Sequence, residues 1–194
     1  MKTLNSSCES SDFMLPITIL LKNNKNIDIR RAHPGDQYEY ANVVNTCYLE
    51  TRFLSRCADD EPLSAESLLG FIEDVETSNE EVLLLAEYEG KIAGFGQITA
   101  CLNRRKMKHK CDLDISVLKD YWNLGIGTAL MTSLIEFSRS AGYEQINLSV
   151  ASDNERAIRL YEHLGFQITG KEIHAMKHGD NDYSDFVFMT RYLT

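Results

Sequence analysis

Apolar residues recur along the chain with one of two periods, and the changes of period mark out the elements. Ile17 to Lys22 and Ile27 to Arg31 are β-prone runs on either side of Asn23-Asn24-Lys25-Asn26, whose asparagines tolerate turn conformations, so they predict a hairpin. Pro34-Gly35-Asp36 breaks the strand and opens a helix, in which Tyr40, Val43, Val44, Cys47 and Leu54 follow at mostly helical spacing to about Ser55. Beyond the acidic loop Asp59-Asp60-Glu61-Pro62, a second helix opens at Ser64 to Glu66 and carries Leu68, Leu69, Ile72 and Val75. Val82 to Tyr88 and Lys91 to Leu102 are strand-like runs joined at the tight Glu89-Gly90 turn. Lys108 to Val117 then alternates Cys111, Leu113, Ile115 and Val117 against Asp112, Asp114 and Ser116, a strand with two chemically distinct faces.

From Gly125 to Ala141 the period becomes helical, with Ile126, Leu130, Leu134 and Phe137 on one face and Gly142 as the stop. Gln145 to Val150 is again a strand. Ser152-Asp153-Asn154-Glu155 has the form of a capping box, with serine and glutamate serving each other's backbone amides at the start of a helix that runs to Leu164 and stops at Gly165. Phe166 to about His178 and Tyr183 to about Tyr192 close the chain as two strands around Gly179-Asp180-Asn181. The order is ββ-αα-βββ-α-β-α-ββ, an α/β (α+β) arrangement with a mostly antiparallel sheet. Strand 108 to 117, helix 125 to 141 and strand 145 to 150 make the one crossover unit, which should be parallel and right-handed.

Composition narrows the class. With 194 residues, 43% apolar and 25% charged, the chain suits one globular domain over 13–194, preceded by a Ser-, Asn- and Glu-rich leader over 1–12 that is expected to be disordered. A net charge of −9 argues against a nucleic-acid surface; the one basic run, Arg104 to Lys110, reads as a solvated hairpin tip. An acidic shell attracts cationic amines, weakly and at long range. Five cysteines, none closer than ten residues to another, suggest neither a metal knuckle nor a disulfide framework, and point to reduced thiols and the cytoplasm. The early apolar run Phe13 to Leu21 contains Pro16 and is too short to span a bilayer, so no membrane role is expected. His174 and His178 lie four apart on a strand rather than a helix, so no metal site is expected.

The segment Leu124-Gly125-Ile126-Gly127-Thr128 carries the first chemistry. A strand ending near Val117, a loop and a helix opening at Gly125 bring free backbone N–H groups to one point, where the helix dipole also favours an anion. Glycines at 125 and 127 admit a phosphate to the backbone; close strand-helix packing is the other explanation for the pair. The dinucleotide fingerprint would need glycine where Leu130 stands, and the Gly-Lys-Ser/Thr of a P-loop is absent. Gly94-Phe95-Gly96 lies inside a strand and cannot serve.

The run from Leu113 to Gly127, through Tyr121-Trp122-Asn123-Leu124, resembles the central motif of the GNAT superfamily of acyl-CoA N-acyltransferases. Asn154-Glu155-Arg156-Ala157-Ile158-Arg159-Leu160-Tyr161-Glu162-His163-Leu164-Gly165-Phe166 resembles the motif that follows it there. The resemblance extends from about residue 27 to the C-terminus. It implies a mixed, mostly antiparallel twisted sheet of about seven strands with flanking helices, acetyl-CoA as co-substrate, and a homodimer as a family-level expectation. It also implies that amides from Leu124 through Gly125, Ile126, Gly127 and Thr128 to Ala129 hold the pyrophosphate, and that Ile115, Ser116 and Val117 pair with the pantetheine arm. The family's usual Gln or Arg three residues before the first glycine is Trp122 here, so the cradle should rest on backbone amides.

Attack of an amine on a thioester needs a neutral nucleophile, a stabilised oxyanion and a proton for the thiolate. Asn154, Ala157 and Tyr161 fall on one helical face and can line a common groove. The resemblance implies that Asn154 contacts the coenzyme and that Tyr161 is the general acid. With ordinary pKa values of about 10 and 8.5, full proton transfer from tyrosine to thiolate is uphill by roughly 2 kcal/mol, so hydrogen bonding should dominate. Asp112 and Asp114 share a strand face and either carboxylate can take the amine proton through a water; the resemblance favours Asp112. The Val117 amide is the expected oxyanion donor.

The expected activity is acetyl transfer from acetyl-CoA to a primary amine of a small molecule or protein by direct attack in a ternary complex. A catalytically silent coenzyme A sensor with the same fold is the alternative. The acceptor pocket is expected between the first two helices with their loop, about Glu50 to Glu61, and the last strand pair near Tyr183 and Asp185.

Overall fold

The computed structural model describes residues 15–100 and 105–193. The leader expected over 1–12 lies outside the described residues, as do Arg104 and the last two positions of the strand predicted to reach Leu102. Among the described residues, eight strands and four α-helices follow in the order read from the pattern. They are β1 (Ile17–Leu20), β2 (Asn26–Arg31), α1 (Gln37–Glu50), α2 (Ala65–Glu76), β3 (Val82–Tyr88), β4 (Lys91–Ala100), β5 (Lys110–Val117), α3 (Ile126–Ser140), β6 (Gln145–Ala151), α4 (Glu155–His163), β7 (Gln167–Gly179) and β8 (Asp182–Tyr192). All eight strands join one sheet in the order β1-β2-β3-β4-β5-β6-β8-β7, one strand more than the resemblance implies.

Both faces of the sheet centre are covered, and β3 shows why its sequence is almost continuously apolar. Val82, Leu84 and Ala86 enter a core with Leu130, Leu134 and Phe137 of α3. The intervening Leu83 and Leu85 enter a second core with Val43, Val44 and Cys47 of α1 and Ile72 and Val75 of α2. At the start of α1, the Asp36 carboxylate does not cap the helix. It takes two hydrogen bonds from the Arg30 guanidinium, at 2.8 and 2.9 Å, while the same guanidinium reaches Glu87 at 2.9 Å.

Two helix ends differ from the pattern. Helix α1 stops at Glu50 rather than near Ser55, because Thr51 turns to extended backbone and its hydroxyl accepts the Phe53 N–H at 3.2 Å. At α4 the cap is Asn154, whose side chain accepts the Ala157 N–H at 3.2 Å. The capping box read at Ser152 and Glu155 does not form: the Ser152 N–H is bound to the Asp185 carbonyl on β8, and the Glu155 carboxylate pairs with Arg159 at 2.9 Å. No helix among the described residues is long and apolar enough to cross a membrane.

Candidate active site

The site begins where two strands part. Strands β5 and β6 are parallel, as the crossover predicted, but they pair only through Lys110–Gln145, Cys111–Ile146 and Asp112–Asn147. Past that point β5 remains paired with β4 and β6 with β8, so a wedge opens between Leu113–Val117 and the end of β6. The Leu118 N–H donates to Ala93 on β4. Successive strand residues point their backbone groups to opposite edges, so the Val117 N–H faces the wedge. The cavity formed there has a volume of about 730 Å³ and runs from the first turn of α3 to the space between α1 and α2.

At one end is the glycine turn. Gly125 is the N-cap of α3 with φ +102°, a left-handed conformation that favours glycine. A Cβ at Gly125 would come no closer than 3.9 Å to Leu21, and one at Gly127 would meet Leu160 at an ordinary 3.5 Å. Close packing therefore does not account for the pair. The N–H groups of Gly125, Ile126, Gly127 and Thr128 donate to no group among the described residues, and these four residues line the cavity. That is the donor set an anionic pyrophosphate needs. The expected cradle was longer at both ends. The Ala129 N–H is bound to the Gly125 carbonyl at 3.0 Å, and neither Ala129 nor Leu124 lines the cavity. The Leu124 carbonyl instead accepts the Lys22 N–H at 3.3 Å, tying the β1–β2 turn to this loop.

Trp122 is fixed on both sides. Its indole Nε1 donates to the Val117 carbonyl at 2.7 Å, and the Arg156 guanidinium lies 3.4 Å from the ring centroid. Arg156 lines the cavity, so a cation reaches it from the first turn of α4 although position 122 carries none. The pattern along the chain did not bring out Arg156. The usable signal was an aromatic at the usual cationic position together with an arginine two residues past the α4 cap.

Ile115, Ser116 and Val117 line one wall of the wedge; Asn154, Ala157 and Tyr161 line the other side. Tyr161 is 8% exposed. Burial raises the pKa of its hydroxyl above the ordinary tyrosine value; the Asp114 charge adds to the shift and the Arg156 charge opposes it. Among the described residues no group bonds to that hydroxyl, and it is not sealed from the cavity.

The two carboxylates expected near the thioester are separated by the parting of the strands. Asp112 is exposed in the closed part of the wedge, opposite Asn147, and does not line the cavity. Asp114 stands one strand repeat further, lines the cavity and accepts a 3.1 Å hydrogen bond from Gln97 Nε2. Of the expected acceptor region, Glu50, Thr51, Phe53, Leu54 and Ser55 line the cavity, whereas Tyr183 and Asp185 do not. Arg52 instead links the two sides of the rim, at 2.7 Å from Asp182 and 3.6 Å from Asp153. Among the described residues no cluster of His, Cys, Asp and Glu could hold a metal ion.

The family model for the acetyltransferase (GNAT) family matches residues 44–166, which span the wedge, the glycine turn and α4. The chain belongs to the GNAT family. The GNAT chain is 26% identical over 145 residues to a phosphinothricin N-acetyltransferase of Streptomyces viridochromogenes, covering 74% of this chain and 76% of that protein. It is 32% identical over 114 residues to an L-amino acid N-acetyltransferase of Escherichia coli, covering 50% and 68%. Among solved structures, a GNAT-family acetyltransferase of Streptococcus pneumoniae superposes with a TM-score of 0.81 at 33% identity, over 86% of this chain and 99% of that one. A putative acetyltransferase of Salmonella typhimurium, solved with its cofactor acetyl-CoA, has the same fold with a TM-score of 0.77 at 22% identity, over 87% and 95%. This GNAT chain is an acetyl-CoA-dependent N-acetyltransferase.

Proposed function

We propose that the chain transfers the acetyl group directly to a primary amine held beside Asp114, in a complex containing both substrates. The observation that carries this reading is that Gly125 to Thr128, Tyr161 and Asp114 all face one cavity that opens where β5 leaves β6. The four free N–H groups and the Arg156 guanidinium hold the pyrophosphate. The free edge of β5 from Ile115 to Val117 pairs with the pantetheine arm, and Asn154 and Ala157 complete its groove.

In the reaction, the amine nitrogen bonds to the thioester carbonyl carbon and the Val117 N–H steadies the oxyanion. Asp114, through a water, takes the proton that the nitrogen sheds as it bonds to carbon. The carbon–sulfur bond then breaks, and Tyr161 donates to the sulfur. The upward pKa shift makes full transfer from Tyr161 costlier than for an ordinary tyrosine, so its main contribution is a hydrogen bond to the developing thiolate. The proton taken up by Asp114 passes through solvent to the released thiolate, which closes the balance to amide and free thiol.

Tyr161→Phe and Asp114→Asn test both assignments by thiol release under saturating acetyl-CoA. Each is expected to lower kcat by roughly 100-fold while coenzyme affinity is retained. Undiminished kcat in either variant removes that residue from the mechanism. Coenzyme binding without thiol release from the unaltered protein, across a broad amine panel, would make the chain a coenzyme A sensor instead.

A further inference from the structure

The cavity has two chemically different compartments. Its cationic lining residues are Lys22 and Arg156, and both belong to the coenzyme end: Lys22 by its backbone bond to Leu124, Arg156 by its stacking on Trp122. The other compartment, between α1, α2 and β4, is walled by aromatic and aliphatic side chains, among them Tyr48, Phe53, Leu54, Phe71 and Phe95. Its charged lining residues are the carboxylates Glu50 and Asp114. Arg52 and Arg56, in the loop after α1, are not among its lining residues. Arg52 is paired with Asp182 and Asp153, and Arg56 donates to the Glu61 carbonyl while lying 5.8 Å from the centroid of the Tyr48 ring.

We infer that the acceptor is a small primary amine with an apolar aryl or alkyl group and no carboxylate, and this rests on the acetyl-transfer reading above. An ammonium is drawn toward two fixed carboxylates and gives one proton to solvent before it attacks, and an apolar substituent gains by leaving water for the aromatic wall. A free amino acid fits badly. Its carboxylate would enter beside Glu50 and Asp114 and find no cationic partner among the described residues that line this compartment. The compartment therefore differs in its demands from those of relatives named for L-amino acids. The Arg52 ion pairs tie the α1 side of the rim to the α4 and β7–β8 side, which favours a compact acceptor over a polypeptide.

Matched pairs that differ only by a carboxylate test this: 2-phenylethylamine against L-phenylalanine, and 3-methylbutylamine against L-leucine. Thiol release from acetyl-CoA is followed for each, with kcat/KM expressed per neutral amine. The decarboxylated member is expected to win by roughly 100-fold or more. Equal or better use of the amino acid overturns the assignment and leaves acetyl transfer standing, as does a phenylalanine-initiated hexapeptide that outruns 2-phenylethylamine. Thermal unfolding with saturating coenzyme A gives a readout that needs no turnover. A rise in Tm with 2-phenylethylamine but not with phenylalanine supports the compartment's chemistry even where no thiol appears, and would then count against acetyl transfer alone. No rise and no turnover overturns the assignment. Glu50→Gln keeps an oxygen for the Lys119 N–H, bonded at 2.7 Å, while removing one charge. It is expected to narrow the amine preference about tenfold without changing coenzyme affinity; an unchanged preference overturns the role given to the Glu50 charge.

Discussion

Trp122 and Arg156 are held together by the stacking of a guanidinium on an indole. An aromatic at 122 removes a phosphate-binding cation from the glycine loop, yet the ring becomes the platform on which Arg156 is held, 3.4 Å away. Burial lowers the Arg156 pKa and Tyr161 opposes that, but a guanidinium remains charged at any physiological pH. Arg156→Ala is expected to weaken coenzyme A binding about tenfold, the loss of one charge-assisted contact. Pantetheine, which lacks the pyrophosphate, should bind the variant and the unaltered protein alike. Calorimetric titration with both compounds checks this, and equal losses for the two would place Arg156 in the groove wall instead.

At the scale of elements, the glycines in β4 do work that their motif form conceals. Gly94-Phe95-Gly96 is no phosphate cradle, but a Cβ at Gly94 would lie 2.7 Å from the Ser116 carbonyl oxygen and 3.0 Å from the Val117 Cα. Those are backbone atoms of β5 where the wedge is open. Gly94→Ala should therefore cost roughly 1–3 kcal/mol, and it should lower kcat by displacing the Val117 N–H. Urea denaturation and thiol release on the same preparation check the two effects; full activity with lost stability would detach the Val117 backbone from catalysis. The cap at Asn154 gives a milder test, with Asn154→Ala expected to cost about 1 kcal/mol and to raise the KM for acetyl-CoA. The pattern was enough to order the eight strands and four helices of the described residues and to find the crossover, because most carry an alternating or helical stripe and β3 an apolar run bounded by turns. Features set by individual hydrogen bonds rather than by periodicity were not legible. Helix α1 ends early through the local competition of Thr51 for Phe53, and the α4 cap moves to Asn154 because β8 holds the Ser152 amide. The choice between Asp112 and Asp114 depends on the residue at which β5 parts from β6, and no local pattern of alternation encodes that.

The whole molecule places several ionisable groups in the two cores and the cavity that joins them, and this sets its response to alkali. Burial pushes the Cys47 thiol up to about 12, with the Glu50 charge adding to the shift. Burial likewise raises the Tyr40 and Tyr161 hydroxyls above the usual tyrosine range. In the unfolded chain these groups ionise near pH 8.5 for the thiol and about 10 for the phenols. The folded state holds their protons longer, so their contribution to stability is complete below the unfolded values and is lost as pH rises toward the folded ones. Each group in its window removes up to about 1.4 kcal/mol per pH unit. The urea midpoint should therefore hold steady between pH 7 and 8, decline from about pH 9 and fall more steeply beyond pH 10 as the tyrosines join. Tyr161→Phe removes one ionising group while keeping the ring that packs 6.0 Å from Phe166. Its urea midpoint should fall less steeply above pH 10 than that of the unaltered chain, and equal slopes would show that the Tyr161 hydroxyl ionises as readily folded as unfolded. The same upward shift keeps the Tyr161 hydroxyl protonated above the pH at which an ordinary tyrosine ionises. The alkaline limit on acetyl transfer should then follow loss of the fold rather than titration of the Tyr161 hydroxyl.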